Sequence, residues 1–114
     1  MHQISRIDLR DRKEAALRLR DQVQDFADAI RQSGRVAVVI LFGSLARGDF
    51  HEGSDIDLIL IGDFPERFHL RSLAFRELTD LPIEPICYTQ DEFKALILEE
   101  NSFIQTVLRE GIRL

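Results

Sequence analysis

The strongest constraint on this chain is an alternation: short apolar runs are separated by stretches whose apolar residues fall at helical spacing. Val36-Ala37-Val38-Val39-Ile40-Leu41-Phe42 is rich in β-branched residues and reads as a buried strand stopped by Gly43. Asp55 to Ile61 reads as a second strand, closed by Gly62 and Pro65, and Ile83 to Tyr88 reads as a third. Ahead of the first run, Ala16, Leu19, Val23, Phe26, Ala27 and Ile30 recur at three- and four-residue spacing, which aligns them on one face of a helix that Ser33-Gly34 ends. Between Glu66 and Thr79, the positions Phe68, Leu70, Leu73, Ala74, Phe75 and Leu78 are again helical in spacing. Thr89-Gln90-Asp91-Glu92 has the form of a capping box and predicts a helix start. Asn101 restarts or kinks that helix, and Gly111 stands where a C-cap glycine belongs, after the apolar stripe Phe103, Ile104, Val107 and Leu108. The expected class is α/β (α+β), a small mixed sheet of at least three strands packed with helices.

Composition narrows the function classes. At 114 residues, 45% apolar and 31% charged, the chain is expected to form one domain over residues 1–114 and to fold alone. It shows no internal repeat, low-complexity tract or linker. Met1 to Asp8 has no apolar h-region, and no stretch approaches the roughly 18 uninterrupted apolar residues of a membrane span. A cytoplasmic protein without membrane association is therefore expected. Cys87 is the only cysteine, which excludes an internal disulfide and a multi-cysteine metal site, and it reads as a small buried hydrophobe. The net charge of −5 repels polyanions, so long nucleic acid is not an expected partner. A small triphosphate is different, because divalent cations reverse the local sign at an acidic cleft. Arg10, Arg12, Lys13, Arg18 and Arg20 interleave with Asp8, Asp11, Glu14 and Asp21, and this mixture reads as a solvated helix face rather than a phosphate-binding stripe.

Chemistry concentrates between Phe42 and Leu58. Gly43 follows a strand directly, and a residue without Cβ lets backbone N–H groups approach a phosphate oxygen. Ser44 adds a hydroxyl, and a short helix opening at Leu45 would add unpaired N–H groups. Taken alone, a Gly-Ser pair is also what an ordinary strand-ending turn contains. Asp55 and Asp57 are two apart on a strand, so both leave one face with a Cα separation of roughly 6.6 Å. Two divalent ions in phosphoryl-transfer sites lie roughly 3.5–4 Å apart, a gap that such carboxylates can bridge. Magnesium suits oxygen ligands and leaves positions open for phosphates. The competing reading, a pair of solvated aspartates ahead of a strand, is left open by spacing alone.

In this segment the chain resembles the DNA polymerase beta-like nucleotidyltransferases, and among them the minimal nucleotidyltransferases often encoded beside a small helical partner. The pattern that carries the resemblance is Gly-Ser, ten residues, then Asp-x-Asp: Gly43-Ser44, Leu45 to Ser54, and Asp55-Ile56-Asp57. Phe42, Ala46-Arg47-Gly48 and Ser54 match the same wording, and Phe103-Ile104 with Val107 to Ile112 resembles the tail of the minimal members. The likeness runs from Val36 onward and implies the nucleotidyltransferase fold. It also implies a third metal-site carboxylate on the next strand, where Glu84 stands in place of the usual aspartate. Geometry agrees, since a helix between two strands makes them parallel and brings Asp57 and Glu84 to one end of the sheet. The short connection from Phe42 to Asp55 reverses the chain and returns Ser44 to that end. Glu84 beside Pro85 also fits a solvated position on an edge strand.

The resemblance implies in-line attack of an acceptor hydroxyl on the α-phosphate of a nucleoside triphosphate, with ATP expected, releasing pyrophosphate. Asp55 and Asp57 would bridge two Mg2+ ions, Glu84 would hold the second and accept the hydroxyl proton, and Gly43 and Ser44 would position the β- and γ-phosphates. Arg47 would neutralise phosphate charge or pair with Asp49 or Glu52 at the surface. His51 reads as a solvated loop residue, His2 and His69 carry no functional assignment, and Tyr88 reads as core with a wet hydroxyl. Large family members carry a second domain for base and acceptor, which something outside residues 1–114 would have to supply. Two functions follow. One is an enzyme that adenylylates a small helical, toxin-like partner as the antitoxin of a toxin-antitoxin pair. The other is a non-catalytic module that binds and neutralises that partner. The edge strand Ile83 to Tyr88 and the C-terminal apolar stripe would serve homodimerisation or that docking.

Overall fold

The computed structural model describes residues 6–114, with side chains from Arg10 onward. The chain runs α1 (Arg6–Gln32), β1 (Val36–Phe42), α2 (Gly43–Arg47), β2 (Ile56–Gly62), α3 (Phe68–Arg76), β3 (Ile83–Thr89), α4 (Gln90–Leu98), α5 (Ser102–Glu110) and β4 (Ile112–Arg113). The sheet order is β3-β2-β1-β4. β1 pairs antiparallel with β2 and β4, and β2 pairs parallel with β3. The reversal after Phe42 and the helical crossover before Ile83 thus have the consequences their lengths require. β3 lies at an edge, as expected.

Period-two alternation divides the sheet between two apolar layers. Val39 and Leu41 of β1, with Ile56, Leu58 and Leu60 of β2, pack against Val23, Ala27 and Ile30 of α1 and Phe75 of α3. Ile40, Ile59 and Ile61 face the other way, onto Phe93 of α4 and Ile104 and Val107 of α5. Because Asp57 lies between Leu58 and Ile56 in β2, it falls on the α5 side, and this parity decides which helix can wall its surroundings. Among the described residues no helix is long and apolar enough to cross a membrane.

Several local features differ from the reading of the sequence. β4 was not expected: it is two residues long, carries no periodicity, and is recognisable only by its pairing of Arg113 with Ile40 and Ile112 with Leu41. Gly111 does end α5, but in extended backbone (φ −73°, ψ 156°) rather than left-handed. Its glycine is required by crowding, since a Cβ there would lie 2.5 Å from the Val107 carbonyl oxygen and 2.7 Å from Ile40 Cγ2. α2 opens at Gly43, not Leu45. In α3, Leu70 and Leu73 face solvent, whereas Arg71 and Phe75, one turn apart, are buried. The C-terminal stripe is divided, because Ile104 and Val107 are buried in the core while Phe103 and Leu108 remain exposed. Asn101 restarts the chain as α5, its side chain accepting from the Ile104 N–H at 3.0 Å, and Thr89 and Glu92 form the expected reciprocal cap of α4.

The buried arginine joins three elements. The Arg71 guanidinium donates to the carbonyls of Glu66 (3.0 Å) and Cys87 (3.1 Å) and to both carboxylate oxygens of Glu92 (2.6 and 3.3 Å). It also lies over the rings of Phe64 and Phe68. These bonds hold the Glu92 carboxyl below the ordinary range, the Arg71 bond contributing most and the Thr89 N–H next. Cys87 is buried under the same cluster, and desolvation pushes its thiol up to about 12, an inert hydrophobe as expected.

Candidate active site

The site forms at the end of the sheet where β1 ends and β2 begins. Phe42 pairs with Asp57 across the antiparallel ladder, and Asp57 pairs with Glu84 across the parallel one, so the three residues form a row over β1, β2 and β3. The chain leaves this row through Gly43, whose φ of +75° places it in the left-handed region. A Cβ on Gly43 would lie 2.1 Å from Asp57 Oδ2. The glycine therefore does two things: it turns the strand into α2, and it vacates the volume that the Asp57 carboxylate occupies.

A cleft of about 560 Å³ opens over this point. It is lined by Gly43, Ser44 and Arg47 of α2, by Asp55 and Asp57, and by Phe103, Thr106 and Glu110 of α5. Asp55 is exposed and immediately precedes β2, whereas Asp57 is half-buried within it. Burial raises the Asp57 carboxyl above its ordinary value, the charges of Asp55 and then Glu84 raise it further, and Arg47 opposes them. Arg47 itself contacts Asp49 at 3.4 Å and Glu110 at 4.0 Å, so it lines the cleft and pairs at its rim at once.

Glu84 is placed differently. It adjoins Asp57 in the ladder and acts on that carboxyl electrostatically, yet its side chain pairs with Arg76 of α3 and does not line the cleft. Among the described residues, no three histidine, cysteine, aspartate or glutamate side chains are gathered into a metal-binding group. His51 is exposed, with its ring against the Glu52 carbonyl at 3.1 Å. Tyr88 packs between Phe68 and Phe93.

The α5 wall was missed from the sequence. Phe103 stacks edge-on against Phe42 with ring centroids 5.4 Å apart, and Thr106 and Glu110 follow at three- and four-residue spacing on the same face. That spacing was available, but it was overlaid by the stronger apolar stripe of Ile104 and Val107.

Residues 23–114 match the nucleotidyltransferase domain family. Two proteins of Methanocaldococcus jannaschii, each named as a candidate protein adenylyltransferase, are similar in sequence. One is 46% identical over 43 residues, covering 36% of this chain and 43% of the relative, and so spans less than half of that protein's length. The other is 41% identical over 80 residues, covering 65% of this chain and 74% of the relative. A crystal structure of a candidate nucleotidyltransferase from Sulfolobus solfataricus superposes with a TM-score of 0.59 at 21% identity, over 72% of this chain and 77% of that one. That likeness is one of fold.

Proposed function

The chain belongs to the nucleotidyltransferase domain family, and from that premise we propose that it transfers AMP from ATP to a hydroxyl on a protein acceptor, in the manner of an antitoxin acting on a small helical partner. The observation that carries the reading is the fit between Gly43 and Asp57. A backbone turn able to meet phosphate and a carboxylate able to hold a cation are nested so closely that the carboxylate occupies the space a side chain at position 43 would take.

The donor set suits magnesium. Asp55 and Asp57 present hard oxygen ligands, Glu84 adds charge beside them, and Arg47 is the cation opposing the rise of Asp57. Carboxylates crowded at a point with so little cationic compensation favour a bound divalent ion. Asp55 and Asp57 would hold two ions, with Glu84 joining the second once released from Arg76. When bound, the metal neutralises the triphosphate and favours ionisation of the attacking hydroxyl. Gly43 and Ser44 hold the phosphate tail, and Arg47 offsets its charge. Once free of Arg76, Glu84 would be the group to take the acceptor proton. Phe42 and Phe103 add an apolar edge to the cleft through their edge-on contact.

The test incubates the full chain with ATP labelled at the α-phosphate, magnesium and a small helical protein of the proposed partner class, and compares Asp57→Asn. Label should pass to the partner with the wild type and not with the variant. The pairing of Glu84 with Arg76 favours a second reading, a module that neutralises its partner by binding alone. Partner neutralisation that persists in Asp57→Asn without any label transfer in either protein would decide for it.

A further inference from the structure

A second hollow, of about 760 Å³, lies between the N-terminal half of α1 and the turn from Leu45 to Phe50. Its floor is apolar, made by Leu17, Leu45 and Phe50, and Leu17 is 60% exposed. Its rim is cationic, carrying Arg10, Arg12, Lys13 and Arg20. Along a helix turning about 100° per residue, Arg10, Lys13, Leu17 and Arg20 form one strip. Asp11, Glu14, Asp21 and Asp25 form the neighbouring strip, shared only with Arg18. The mixed signs of the sequence are therefore sorted in space, on a face whose Arg10, Arg12, Lys13 and Arg18 are exposed. None of Arg10, Arg12, Lys13 and Arg20 makes an ion pair with a described residue.

The position of this groove gives it meaning. α2 is the wall between it and the candidate active site: Leu45 faces the groove, while Ser44 and Arg47 face the cleft. A chain lying in the groove and passing over Gly48 arrives at the cleft. We propose that the groove docks an acidic segment of the protein acceptor, with one aliphatic side chain seated on the Leu17, Leu45 and Phe50 floor and carboxylates meeting the basic rim. The proposal rests on the transfer reading above for the identity of the occupant as acceptor. Charge complementarity selects the acidic segment, and the apolar floor selects a peptide over a nucleic acid. An extended polyanion would also run along the acidic strip of the same helix and be repelled by it.

The test uses the full chain and a fluorescein-labelled peptide of Glu and Leu repeats, read by fluorescence anisotropy. Saturable binding is expected, weakening with salt, and weakening at least tenfold in Arg10→Glu/Lys13→Glu/Arg20→Glu and a few-fold in Leu17→Ser. Thermal stabilisation by ATP with magnesium reports the cleft separately and should survive both variants, which also shows that they fold. Peptide binding unchanged by the charge reversal overturns the proposal. So does tighter binding of a labelled oligo-dT strand, or a concentration-dependent dimer that the charge reversal abolishes and the peptide cannot enter. If peptide binding behaves as expected but the wild type gains no stability from ATP and magnesium, the docking site stands and the transfer reading fails.

Discussion

Two clusters of charge lie against the same sheet and are built on opposite terms. Around Arg71, each charged or polar group is answered: the guanidinium meets two carbonyls and a bidentate carboxylate, and that carboxylate also caps α4. Around Asp57, carboxylates from β2 and β3 crowd together with Arg47 as the opposing cation. Hydrogen-bond donors hold the carboxyl down in the first case, against the opposing pull of desolvation, and desolvation raises it in the second, where donors are wanting. A charge that the fold has satisfied serves the fold, and a charge left short of partners is available to a ligand.

The sharpest test of this contrast is Asp57→Asn. It should cut transfer on the order of 10³-fold or more, because the proposed metal site would lose its half-buried carboxylate, measured as label incorporated per unit time. Gly43→Ala should come next, with transfer falling on the order of 10²-fold, because the new methyl collides with Asp57 Oδ2 and the backbone has positive φ. Its stability should fall by about 1–2 kcal/mol in urea titration. Arg71→Met should behave in the opposite sense, leaving ATP-dependent stabilisation intact at low temperature but costing about 2–4 kcal/mol, because carbonyls and a carboxylate lose their donor. That corresponds to a Tm lowered by roughly 10–20 °C.

A smaller effect separates the clusters by sign. The raised Asp57 carboxyl means that the folded state holds its proton more tightly than the unfolded chain does, so stability is lost as pH rises through the interval between the two values. Asp57→Asn should therefore raise the Tm of the nucleotide-free protein at neutral pH, and the gain should vanish below the ordinary aspartate range. The depressed Glu92 carboxyl gives the reverse slope, with stability lost as pH falls through its folded value. The smallest change is expected for Arg76→Ala, since its pair with Glu84 is half-exposed. Freeing Glu84 should raise transfer by about two- to five-fold at limiting magnesium. A fall instead would show that Arg76 holds Glu84 in its working position, and the second cluster would then be less open than the contrast supposes.

How much of this was legible follows from the range of each signal. The strands were visible because β-branched runs and their stops are local, and the β2 to β3 relationship followed from the length of the crossover. Gly43, Ser44, Asp55 and Asp57 stood out through one fixed spacing. Arg71 did not, because an arginine inside an apolar stripe is assigned to solvent unless its partners, distant in sequence, are known. β4 and the α5 wall were hidden for the same reason: Ile112 and Phe103 acquire their roles only from β1. The sorting of charge on α1 required the position of Phe50 to reveal which strip faces a groove.

The nesting of Gly43 with Asp57 also has a consequence for descent. A side chain at position 43 is costly while the aspartate stays, because its Cβ would lie 2.1 Å from Asp57 Oδ2. A lineage that loses the chemistry should therefore show first the loss of the carboxylate and only afterwards the drift of the glycine.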